Sequence, residues 1–203
     1  MGGVKIWRKR FVWIVFCFVL LTFFGSGPGV AAEKQLKAGF VYVGPVGDYG
    51  WSHAHDVGRR FAEKQLPWLK TVYIESVAEA DSARIIDRFI QEEKCDVVFT
   101  TSFGYMDNTL KAGMKYPDKH FMHCSGFKQT KNVGTYFADL YQTYYLNGLM
   151  AGGLTKSNKI GYVAAFPIPE LVRHINAFAL GIKAANPKAQ VHVRWTYAWD
   201  GPD

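Results

Sequence analysis

From residue 37 onward, short continuously apolar runs alternate with stretches in which apolar positions recur every three to four residues. The run 37–43 (KAGFVYV) is nearly all apolar, as expected of a parallel strand covered on both faces. Residues 54–66 place Val57, Phe61 and Leu66 on one side and Arg59, Arg60, Glu63 and Lys64 around the rest, with Pro67 as a stop. This predicts a helix whose apolar side faces inward. Residues 71–77 read as a second strand. Asp81 is placed to cap a helix in which Ile85, Ile86, Phe89 and Ile90 recur at helical spacing.

The pattern continues with a strand at 96–102 (DVVFTTS), a short helix at 107–116 closed by Pro117, and strands at 120–125 and 133–137. Such alternation predicts right-handed βαβ crossovers and an open parallel sheet. A second run follows: a helix over 139–155 rich in small residues (Gly148, Ala151, Gly152, Gly153), a strand at 159–165, a helix over 171–185 and a strand at 191–197. In that helix Leu171, Ile175, Phe178 and Ile182 are expected inward. Two strands and two helices leave sheet edges unpaired, so this second unit reads as incomplete. In open parallel sheets ligands sit beyond the carboxyl ends of the strands, which directs attention to the loops after Val43, Thr101, Ser125 and Phe137.

The amino-terminal 32 residues follow another logic. Lys5, Arg8, Lys9 and Arg10 precede a fourteen-residue apolar run, 11–24, and a small-residue stretch ending Val30-Ala31-Ala32. The order of basic, apolar and small segments predicts a secretory signal peptide cleaved after Ala32, and hence an exported protein. The apolar run is short of the ~20 residues of a membrane span. Cys17 lies inside the run and away from the cleavage point, which argues against a lipid anchor. This segment also changes the charge balance: the whole chain carries 24 Lys plus Arg against 17 Asp plus Glu, but residues 33–203 carry 20 against 17. No basic stripe remains to bind nucleic acid.

Cys95 and Cys124 fall at opposite ends of two predicted strands. A stagger of four or five residues at ~3.3 Å each separates them by roughly 15 Å, too far for a disulfide, so both are expected as buried free thiols.

Chemistry concentrates in the loop 44–56 (GPVGDYGWSHAHD), which leaves the first strand and opens the first helix. Gly44, Gly47 and Gly50 fit neither a dinucleotide fingerprint nor a phosphate loop. Trp51 offers a flat face for stacking on a planar ring, or a lid on the first helix. His53, His55 and Asp56 invite a metal reading. On a helix, however, positions 53 and 55 diverge by about 200°, and no acidic cluster completes a shell. Ser102, Phe103 and Tyr105 follow the third strand as either ligand contacts or a cap and core filler. Gly126, between Ser125 and Phe127, repeats the theme after the fourth strand, and Phe166 does so in the second unit. No nucleophile elbow, zincin motif or carboxylate pair is present.

The segments KAGFVYVGPVGDYGWSHAHDVGRR, DVVFTTSFGYMDNTLKAG, YQTYYLNGLMAGGLTKSNKIGYVAAFPIPELVRHINAFALG and RWTYAW resemble the basic membrane protein family of ABC-transporter substrate-binding proteins, from about Leu36 to the end. The resemblance implies a periplasmic-binding-protein type I fold: two doubly wound α/β lobes with a ligand between them, here lobes 33–137 and 138–203, the second incomplete. It implies a periplasmic binding protein, neither an enzyme nor carrying a cofactor, that binds a purine nucleobase or nucleoside and delivers it to an inner-membrane permease; a monomer is expected. Trp51 and Phe166 match the stacking aromatics, and Asp48, Ser52 and Ser102 are candidate polar contacts. Gly44 and Pro45 stand where an earlier, ribose-holding acid is expected, which favours a free base such as adenine. Stacking at ~1–3 kcal/mol per face plus two or three buried hydrogen bonds would reach the roughly −8 kcal/mol of a micromolar complex.

Two rivals stand beside that reading: a protein of the same fold for another small ligand, such as a sugar or signalling molecule, and a secreted hydrolase with a metal on His53, His55 and Asp56. The resemblance also implies a longer second lobe, so the 203-residue chain is expected to be a fragment that binds purine weakly or not at all.

Overall fold

The computed structural model describes residues 35–199; the expected signal peptide at 1–32 lies outside them. Five strands, β1 (Leu36–Val41), β2 (Leu69–Ile74), β3 (Val97–Thr100), β4 (His120–Cys124) and β5 (Val133–Tyr136), form one all-parallel sheet in the order β2-β1-β3-β4-β5. Helices α1 (Trp51–Gln65), α2 (Ser82–Gln91) and α3 (Met106–Lys115) make the crossovers. Most of the predicted strands end one to three residues earlier than the apolar runs do, because the last residues of those runs already turn over the sheet's carboxyl edge.

Period-two alternation divides the first sheet's side chains between two cores. Ala38, Phe40 and Tyr42 pack with Leu69, Val97 and Phe99 on the α1 side. Val41 and Val98 pack with Ile85, Ile86, Phe89 and Phe121 on the α2–α3 side. Gly39 is where α2 comes closest: an added Cβ would lie 2.6 Å from the Phe89 ring. Asp81 makes no side-chain cap; it lies in the short turn Glu79–Asp81, and the Ser82 hydroxyl donates to the Glu79 carbonyl instead.

Helix α1 reverses the expected polarity. Val57 and Phe61 are 46% and 64% exposed, whereas Ser52 and Asp56 are buried; only Leu66 of the expected apolar trio packs inward. The buried side is satisfied by charge pairing. Asp56 bridges Arg59 and Arg60, and Arg59 reaches the Thr71 hydroxyl and lies 4.7 Å over the Tyr73 ring. A buried carboxylate is tolerable only when paired in this way.

The second unit comprises α4 (Tyr141–Leu154), β6 (Lys159–Ala164), α5 (Pro169–Ala185) and β7 (Gln190–Trp195), with β6 and β7 parallel. The small residues of α4 let α5 approach. A Cβ on Gly148 would lie 2.1 Å from the Phe178 carbonyl oxygen, and one on Gly181 2.1 Å from that of Tyr145. The buried stripe of α5 is therefore His174, Ala177, Gly181 and Ile182, while Leu171, Ile175 and Phe178 are only half-buried. An aromatic seam joins the units: Phe137 lies 6.1 Å from His174, which stacks 4.3 Å from Tyr144.

Cys95 precedes β3 and Cys124 ends β4, both as buried free thiols, and burial pushes them up to about 11 and about 12. Among the described residues, no helix is long and apolar enough to cross a membrane.

Candidate functional site

The loop leaving β1 turns at Gly44, whose N–H donates to the Ser52 hydroxyl at 3.0 Å and so fixes where α1 begins. Trp51, the first residue of α1, is thereby held over the carboxyl edge of β3. Its indole N–H donates to the Thr101 carbonyl at 2.6 Å. The ring contacts His55 edge-on at 4.8 Å and remains 36% exposed. It is thus anchored at one edge and open on the rest, an arrangement suited to stacking.

Beyond β3, the Ser102 hydroxyl donates to Glu79 Oε1 at 2.5 Å, and the Gly104 N–H donates to the same oxygen at 3.1 Å. Gly104 has to be glycine for this approach, since an added Cβ would fall 2.0 Å from the Glu79 carboxyl. The second unit reaches the same carboxylate through Trp199, whose indole N–H donates to Glu79 Oε1 at 3.2 Å. A second bridge joins β4 to α5: the Ser125 hydroxyl donates to Glu170 in the first turn of α5. Ser125 holds a left-handed backbone, φ 71°. A non-glycine residue there stores strain of the kind found at functional sites. Burial raises the Glu170 carboxyl above its ordinary range, while the Ser125 hydrogen bond and the Arg173 guanidinium pull it back.

These groups border a partly open cavity of about 290 Å³, just under the ~300–1,000 Å³ typical of small-molecule sites. Its first-sheet wall is Val43, Gly44, Trp51 and Ser52, with Thr101, Ser102 and Phe103; Ser125 closes the far side. Glu170 and Trp199 come from the second unit.

The structure thus brings Trp51, Ser52, Ser102 and Phe103 to one cavity. Phe166 is not among the lining residues; its ring lies 5.1 Å from that of Trp199. Gly126 sits against His123, where a Cβ would lie 2.0 Å from the imidazole, and does not line the cavity. Asp48 belongs to the turn Val46–Asp48, and its side chain lies outside the described part of the structure. Sequence reasoning missed Glu79, Glu170 and Trp199 as site residues. Trp199 lay within the quoted RWTYAW segment, whereas the two glutamates carried no local signal.

The metal reading finds no ligand set. His53 Nδ1 lies 2.8 Å from the Val46 carbonyl oxygen, His55 packs between Trp51 and Tyr42, and Asp56 is ion-paired with Arg59 and Arg60. Burial lowers His55 to about 4. Among the described residues, no group of three or more His, Cys, Asp or Glu is placed to hold a metal.

Residues 35–203 match the family described as ABC transporter substrate-binding protein PnrA-like. The chain belongs to this family. A putative ABC transporter glucose-binding protein of Haloferax volcanii, TsgA13, is 44% identical over 87% of this chain and 45% of its own length. A purine-binding protein of Brucella abortus is 40% identical over 88% of this chain and 51% of its own. An ABC transporter solute-binding protein from Aeropyrum pernix K1 shares the fold at TM-score 0.68 and 19% identity, over 80% of this chain and 47% of that one. The chain spans about half the length of the curated relatives it matches. The family is one of transporter solute-binding proteins, which are not enzymes.

Proposed function

We propose that this chain is the ligand-holding part of a periplasmic ABC-importer component that binds a purine base, adenine or a close analogue. The observation that carries the reading is the meeting of two indoles, Trp51 and Trp199, on one cavity of about 290 Å³ at the carboxyl edges of both sheets. Gly44 and Pro45, in place of an early acid, favour a base over a base with its ribose. Phe166, its ring tilted 5.1 Å from that of Trp199, buttresses the second indole. Ser52 and Ser102 supply polar contacts, with Asp48 at the loop above and Phe103 on the cavity wall. Residues 33–137 and 138–203 act as two lobes that close on the ligand, exported by the signal at 1–32 and served by an inner-membrane permease. The protein acts as a monomer.

A second reading has one specific support. The 44% identical relative carries a glucose-binding name, and indole faces also stack on the apolar face of a sugar. Saturation-transfer NMR at millimolar ligand separates the two and registers weak binding. Adenine is expected to take up saturation and to keep it when glucose is added in excess. Glucose binding without adenine binding would replace the first reading by the second.

A further inference from the structure

Five of the six side-chain donors on the cavity wall are spent within the protein, the sixth being the Ser52 hydroxyl, which accepts from the Gly44 N–H. The Thr101 hydroxyl donates to the Val41 carbonyl at 2.8 Å. Ser102 donates to Glu79 and Ser125 to Glu170. Both indole N–H groups are also committed to protein acceptors, Trp51 to the Thr101 carbonyl and Trp199 to Glu79. A hydroxyl that donates into the protein offers a ligand only lone pairs. The wall therefore presents mostly acceptors: the hydroxyl oxygens of Ser102 and Ser125, and the Glu170 oxygen that does not take the Ser125 proton.

We infer that Glu170 is the specificity-determining residue of the cavity, and that it selects purines bearing an exocyclic amino group by accepting that group's N–H. The inference rests on the purine reading above and goes beyond it by naming the edge of the ring that is read. Glu170 is placed for the task. It is the carboxylate on the cavity wall, it is fixed by Ser125 from the opposite unit, and it stands at the start of a seventeen-residue helix whose packing on α4 holds it. A ligand lacking the amine would leave a desolvated carboxylate oxygen unpaired, which is more costly than losing a neutral hydrogen bond. A sugar ring could also satisfy acceptors, but it has no single group whose deletion removes the whole preference.

The test compares adenine with 6-methylpurine, which keeps the ring and replaces the amine by a methyl group, on the wild-type chain and on Glu170→Gln. The glutamine keeps an oxygen for the Ser125 hydroxyl and places an N–H₂ where the second carboxylate oxygen stood. Affinities come from saturation-transfer titration, with circular dichroism checking that the variant is folded. Wild type is expected to favour adenine by about 10- to 100-fold, and Glu170→Gln to reduce the ratio to below about threefold. Equal wild-type affinities for the two purines overturn the inference and leave the purine reading standing; this arm needs no variant. An unchanged ratio in folded Glu170→Gln also overturns it, by assigning the preference to another group. If neither purine binds and glucose does, the purine reading falls and takes this inference with it.

Discussion

The two sheets of this chain are built from the same strand–helix alternation but bury their strands differently. The five-stranded sheet carries helices on both faces, so β1 is buried along four consecutive residues and its side chains feed two separate cores. The two-stranded sheet is covered on one face by α4 and α5, and β6 alternates, leaving Val163 74% exposed. The cavity lies where the two meet, and its walls inherit the difference. Trp51, Ser52 and Thr101 are tied to main-chain groups within the first unit. Glu170 and Trp199 reach the site from the second unit through side-chain hydrogen bonds to Ser125 and Glu79. One half of the site is thus tied within the first unit, and the other is joined to it by two side-chain hydrogen bonds, the arrangement that the proposed closure of two lobes calls for.

The largest effects are expected in the first unit. Phe89, 1% exposed and packed against Gly39, should cost about 3–5 kcal/mol on change to alanine, measured as a loss of midpoint in urea unfolding. Acid comes next. Burial lowers His55 and His123 to about 4 and lowers His174 as well. Folded-state values below the unfolded ones give stability that is full above about pH 6.5 and lost as the pH falls toward 4. His123, 1% exposed and bonded to Thr100, should account for on the order of 3 kcal/mol of that loss. A urea midpoint that stays flat between pH 7 and 4.5 would contradict the burial of these rings.

Smaller effects probe the second unit. Gly148→Ala places a methyl group against the Phe178 carbonyl and should separate α4 from α5 at a cost of about 1–3 kcal/mol, with the aromatic near-ultraviolet signal of Tyr144 and Tyr162 altered. Val163→Ser, on the bare face, should change stability by no more than about 0.5 kcal/mol. A loss above 1 kcal/mol there would show that the face is covered in solution and would erase the contrast between the sheets.

The strands and helices were legible because each is written in one run: continuous apolar residues for β1, and Ile85, Ile86, Phe89 and Ile90 for α2. The orientation of α1 was not. Hydrophobic periodicity turns Val57 and Phe61 inward, whereas the fold turns in Asp56 and Arg59, whose mutual pairing and contacts with Thr71 and Tyr73 make burial possible. Pairing between elements is invisible to a pattern read along one of them. The site shows the same limit. Trp51 announced itself on a glycine-flanked loop at a strand end. Glu79 and Glu170 look like ordinary surface acids in the sequence and become site residues only because the topology brings Ser102, Trp199 and Ser125 to them.

A planar base held by Trp51 and Trp199 is tested most directly by the affinity for adenine of the wild-type chain and of Trp51→Ala and Trp199→Ala. Each substitution is expected to weaken adenine binding by about 5- to 150-fold, equivalent to ~1–3 kcal/mol of stacking per face, with the fold retained by circular dichroism. Adenine binding that survives both substitutions unchanged would contradict the account.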